Sequence, residues 1–132
     1  MTTSATTTSI AQIANDLVSL VRQGKSDEAI RRYYADDAVQ IEAIACGGAS
    51  ARTEGKDALL KASKEWADER EIHAVTVGEP IYSSSEFAIT LCLDSTLKAS
   101  GQRTQMDDEI AVYSIKDGKI KTVRFFYGGE AG

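Results

Sequence analysis

Proline, histidine, tryptophan and cysteine are all scarce in this 132-residue chain: one proline, one histidine, one tryptophan and two cysteines. A lone histidine, with Cys46 and Cys92 in no CxxC and at no zinc-type spacing, gives no expectation of a metal site. Two cysteines in an otherwise unstapled domain read as free thiols of a reducing cytoplasm. No apolar run approaches the ~20 residues that cross a bilayer. The segment Met1–Ser9, nearly all Thr, Ser and Ala, lacks the basic start and apolar stretch of a secretory signal. Residues 1–9 are therefore expected to be a disordered lead-in. A basic cluster is also missing: fifteen Lys and Arg face twenty Asp and Glu, for a net charge of -5. Such a field repels nucleic acid, so neither nucleic acid nor membrane is an expected partner. What is present suffices for one core, since 42% of residues are hydrophobic and the length suits a single domain. Ordinary apolar content and mixed charge exclude an intrinsically disordered chain.

Apolar residues recur at helical spacing at Ile10, Ile13, Ala14, Leu17, Leu20 and Val21. Ser9 or Thr8 would cap that helix and Gly24 would close it. A shorter helix follows from Ser26 as cap, with Asp27 and Glu28 in the first turn and Ala29, Ile30, Tyr33 and Tyr34 inward. Ala35-Asp36-Asp37 predicts a turn, and residues 38–43 alternate as a strand. Cys46–Thr53 reads as a loop. A third helix runs from near Gly55 to about Arg70, with Leu59, Ala62, Ser63, Trp66 and Ala67 on one face. The pattern then changes to period two, with strands at about 72–81, 86–98 and 103–116. Asp117-Gly118 between alternating runs predicts a two-residue hairpin into a last strand, Lys119–Tyr127. The order is α-α-β-α-β-β-β-β, an α+β domain over residues 10–128 with a short tail at 129–132. A curved antiparallel sheet with helices across its concave face leaves a conical hollow, the natural seat of a ligand.

The element order and the segments Tyr34-Ala35-Asp36-Asp37-Ala38-Val39, Glu54-Gly55-Lys56-Asp57-Ala58-Leu59 and Val112–Ile120 resemble the SnoaL-like branch of the nuclear-transport-factor-two-like superfamily. That resemblance implies an α+β cone, a homodimer paired through the sheet, and a pocket for a small apolar or aromatic molecule. It covers isomerases, cyclases, dehydratases and non-catalytic binding modules, so fold alone does not choose among them. It also implies chemistry without a cofactor. The general base of the ketosteroid isomerases corresponds to Glu42. Their second acid would fall on Ala111 and their tyrosine near Leu17, both apolar, so true ketosteroid isomerase activity is not expected.

Strand parity places Glu109 on the face of Ala111, Tyr113 and Ile115, with Asp107 beside them. Glu42 and Glu109 could then pair, one ionised as base and one protonated as acid. The alternative is that both are solvated, or partnered by Arg103 or Arg124. Trp66, Tyr113, Phe125 and Tyr127 are the expected aromatic lining, unless the rings simply fill the core. His73 could titrate near neutrality, but its charged neighbours mark a solvent-exposed helix end. Ile110, Val112, Thr122 and Phe126 would face a second subunit.

Overall fold

The structure, a computed structural model, describes residues 9–42 and 51–126, and of residues 106–108 the backbone alone. The expected lead-in (1–8), most of the Cys46–Thr53 segment, Tyr127 and the tail lie outside the described residues. Helix α1 (Ile10–Arg22) starts at Ser9, whose hydroxyl accepts from the Gln12 N–H while the Gln12 side chain accepts from the Ser9 N–H. This capping box satisfies two N–H groups that a helix start otherwise leaves open. The chain leaves α1 through Gly24 at φ +75, a left-handed conformation in which a Cβ is strained. The buried stripe of α1 is Ile13, Ala14, Leu17, Val18 and Leu20. Helix α2 (Ser26–Tyr33) is capped by Lys25 rather than Ser26, and no side chain caps it. Tyr33 donates to Asp16 and Arg32 bridges Asp16 and Glu28, which ties α2 to α1.

Strand β1 (Tyr34–Ile41) begins directly after α2. The expected turn at Asp36-Asp37 is instead an exposed, irregular part of this strand, with a register shift between Tyr34 and Val39. Both carboxylates face solvent, where Asp37 meets Lys121 and Asp36 meets Lys56, and the irregularity lets two successive residues be exposed without a turn. Part of the expected loop is also a strand: β2 (Arg52–Glu54) pairs antiparallel with β1. Helix α3 (Lys56–Asp68) follows, then β3 (Arg70–Val77), β4 (Ile81–Tyr82), β5 (Glu86–Leu97), β6 (Arg103–Lys116) and β7 (Lys119–Phe126). The sheet order is β2-β1-β7-β6-β5-β3, with β4 on β5. All pairings are antiparallel except β1 with β7. Asp117 and Gly118 both have positive φ (54 and 76), the mirror-image turn whose twist suits a two-residue hairpin.

The fold is thus the expected α+β arrangement, three helices on a curved, mostly antiparallel open sheet among the described residues. Its core joins Ile13, Leu17, Leu59, Phe87, Ile89, Ile120 and Val123 between helices and concave face. Helix α3 contributes only Leu59 as a buried residue, and Ala67 is exposed. The expected face of α3 therefore packs at its N-terminal end, while its C-terminal end leaves the sheet uncovered. Leu17 is 1% exposed, so Leu17→Ala is expected to cost about 2–5 kcal/mol in urea unfolding. Fully solvated Asp36 →Asn should stay within about 0.5 kcal/mol of the parent.

Candidate functional site

The register sets which side chains share the concavity. Directly paired residues in an antiparallel ladder point to the same face, and Ala111 pairs with Phe125 and Ile89, Tyr113 with Val123 and Phe87, Glu109 with Leu91. Ala111, Tyr113, Val123, Phe87 and Ile89 are buried, which identifies this face as the interior. In the parallel pair Gln40 lies beside Val123, so Gln40 and, two residues on, Glu42 share that face. Glu42 continues β1 by donating its N–H to the Ala51 carbonyl (2.7 Å), and its carboxylate accepts from Gln40 Nε2 (2.8 Å).

Glu109 is half-buried, and desolvation, followed by the negative charge of Glu42, pushes its carboxyl up to about 7. Two carboxylates in one low-dielectric space cannot both ionise cheaply, so the better-buried one keeps its proton longer. The phenol of Tyr113 is pushed far up by burial and by its coupling to Tyr34 and Glu109. Tyr34 is fully buried and likewise raised by desolvation. The sequence suggested packing for Tyr34. Its place as the first residue of β1, with its ring fully buried in the core, was invisible because a helix was expected to run through it.

The alternative partners are engaged elsewhere. Arg103 makes a two-pronged contact with Asp94 (2.9 and 2.7 Å). Arg124 is exposed and pairs with Val112, on the face opposite Phe125. His73 sits at a register shift in β3, with its Nε2 2.7 Å from Thr96 Oγ1, and is exposed. Asp107 lies in a register shift of β6, where Leu91 pairs with Glu109 but Leu93 with Met106. One extra residue there interrupts the ladder, and the Asp107 side chain lies outside what the structure describes.

The aromatic residues divide. Tyr113 is 4% exposed and stacks on Phe87 (4.6 Å between centroids, 10° between planes), and Phe125 packs partly buried against the same core. Trp66, 39% exposed, instead lines a cavity of about 140 Å³ with Arg70, Leu93 and Ser95. That cavity lies where α3 leaves the sheet, and Leu93 is two residues from Leu91, the partner of Glu109. Among the described residues no cluster of His, Cys, Asp or Glu could hold a metal ion. No helix among them is long and apolar enough to cross a membrane.

Residues 7–127 match the family model of the SnoaL-like domain. The chain belongs to the SnoaL-like domain family. A candidate SnoaL-like polyketide cyclase from Mesorhizobium loti, also labelled a carbohydrate phosphatase, is 38% identical with a TM-score of 0.83, over 91% of this chain and 100% of that one. The epoxide hydrolase/cyclase-like enzyme SalBIII of pyran ring formation in salinomycin shares 18% identity at a TM-score of 0.68, over 89% of each chain. A candidate isomerase from Bacillus subtilis shares 17% identity at a TM-score of 0.71, over 89% and 84% of the two chains. These last two share the fold. No curated protein matches the chain.

The raised Glu109 carboxyl of this SnoaL-like domain has a stability consequence. Its folded value of about 7 lies above the ordinary 4.5, so the native state holds the proton longer than the unfolded chain. Stability should therefore fall as pH rises from about 4.5 through 7 and then level off. Glu109→Gln is expected to flatten that slope and gain on the order of 1–2 kcal/mol at pH 8, after allowance for solvent screening. Urea unfolding at pH 5 and pH 8 measures it. Equal pH dependence in parent and variant would contradict the assignment.

Proposed function

We propose that this SnoaL-like domain binds a small apolar or aromatic carbonyl compound in its concavity and performs acid/base chemistry without a cofactor, of the isomerase, cyclase or dehydratase type. The observation that carries the reading is that strand register puts Glu42 and Glu109 on one interior face, where burial and then the charge of Glu42 push the Glu109 carboxyl up. In this reading Glu42 takes a proton from carbon next to the carbonyl, and the electron pair moves onto oxygen as an enolate. Protonated Glu109 returns a proton at a second position. The buried phenols of Tyr34 and Tyr113, held neutral by desolvation, suit hydrogen-bond donation to an enolate oxygen. Leu17 and Ala111 are buried and apolar, which argues against the donor set of a ketosteroid isomerase. Trp66, Phe125 and Tyr127 belong to the proposed aromatic lining.

A cytoplasmic setting is part of the same reading, in keeping with Cys92 as a free thiol. A non-catalytic binding or dimerisation module is the second reading, favoured by the outer sheet face. There the cross-strand pair Ile110 and Phe126 is 41% and 51% exposed, an apolar surface suited to a second copy. A homodimer is expected by gel filtration at tens of micromolar, and a monomer there would remove that interface.

Deuterium exchange tests the chemistry. A panel of aromatic ketones and diketones is screened by thermal shift, and α-proton exchange of the binders in D2O is followed by NMR. The parent should accelerate exchange, and Glu42→Gln should slow it by about 10²–10⁴-fold while keeping ligand-induced stabilisation. Undiminished exchange in Glu42→Gln would remove that residue as base.

A further inference from the structure

The cavity at the C-terminal end of α3 carries a charge pattern that the acid/base pair does not use. Arg70 opens β3, pairs with Leu97 and so faces the concave side. Its guanidinium lies over the Trp66 indole, 4.6 Å from the ring centroid. Only Nη1 is engaged, by the Trp66 carbonyl at 3.4 Å and Glu69 at 3.5 Å. No hydrogen bond reaches Nε or Nη2 from the described residues. The cation–π contact with the indole holds the guanidinium at the cavity while leaving one donor edge open.

Ser95 supplies a second, independent observation. It is the one polar residue in the buried set of the described residues, 6% exposed. Its hydroxyl makes no hydrogen bond within that set, although buried hydroxyls ordinarily have a partner. It lines the same cavity, with Gln102 and Thr104 adding polar groups and Leu93 an apolar wall. Ser95 pairs with Thr104 across the β5–β6 ladder, which brings their side chains to one face.

We infer that this cavity is a carboxylate-binding subsite, in which the open Nε–Nη2 edge of Arg70 receives a planar carboxylate and Ser95 and Thr104 donate to it. A guanidinium edge presents two parallel N–H donors that match the two oxygens of a carboxylate. The indole and Leu93 suit the apolar carbon skeleton behind it. At about 140 Å³, the space is below the 300–1,000 Å³ typical of a whole drug-sized ligand, so it takes one end of a longer molecule. Leu91, opposite Glu109, and Ser95 are four residues apart on β5, about 13 Å at the rise of an antiparallel strand. The inference rests on the proposed concave-face chemistry and narrows its substrate to an aromatic carbonyl compound that also carries a carboxylate.

Benzoate and benzyl alcohol, at pH 7.5, are the probes, and the indole N–H resonance of the only tryptophan, Trp66, is the readout. Benzoate should shift it saturably and bind at least tenfold more tightly than benzyl alcohol. Arg70→Gln should erase that preference, and Arg70→Lys should keep part of it. Ser95→Ala, which leaves the stacked pair intact, should weaken benzoate severalfold and leave benzyl alcohol unchanged. Equal binding of the two probes, no binding of benzoate, or an unchanged preference in Arg70→Gln would each overturn the subsite. Glu109→Gln should retain the benzoate preference, so failure of the acid/base chemistry and failure of this subsite are read separately.

Discussion

Burying the Glu109 carboxyl beside the charge of Glu42 is unfavourable, and the surrounding structure is what holds the two together. An isolated carboxylate taken out of water is strongly destabilised and answers by keeping its proton. Glu109 does so, with its carboxyl near 7 rather than 4.5. The position is enforced from both sides of the sheet. Glu109 is locked opposite Leu91 by the β5–β6 ladder, and Glu42 is carried inward by the parallel pairing of β1 on β7. β6 cannot slip by one residue without turning Ala111 and Tyr113 out of the core, nor β1 without turning out Ala38.

The same alternation divides the chemistry between two faces. The concave side gathers Glu42, Glu109, Tyr34, Tyr113, Arg70 and Ser95, while the outer side holds the Arg103–Asp94 pair, His73 with Thr96, and the Ile110–Phe126 pair. The acidic excess of the chain is mostly solvated or paired at the surface. Glu109 departs from that pattern because burial and a neighbouring charge act on it together. Proton transfer at neutral pH requires a group of this kind.

Much of the architecture was legible from local patterns. The cap at Ser9, the α1 stripe, the Asp117-Gly118 hairpin and the period-two run after α3 are each set by neighbours in sequence, and each forms as expected. Glu42 and Glu109 could be grouped because the resemblance marked one and strand parity the other. Other features depend on tertiary pairing. β2 is three polar residues that become a strand only because β1 offers an edge, and Asp36 and Asp37 lie in a strand because β1 pairs with β7 on either side of them. The register shift where β6 passes Leu91 and Leu93 is likewise a product of strand pairing that composition does not encode. Arg70 and Ser95 were missed for a related reason. A helix-end arginine and a strand serine have no sequence signal until α3 leaves the sheet and exposes the space between them.

The central claim is that Glu42 and Glu109 are one coupled pair. Carbon-detected NMR titration of the glutamate side-chain carboxyls, in the parent and in Glu42→Gln, tests it most directly. The account predicts a carboxyl titrating near 7 in the parent, assigned by its loss in Glu109→Gln, that moves down when Glu42 is neutralised. A Glu109 carboxyl titrating near 4.5, or one unmoved by Glu42→Gln, would contradict it.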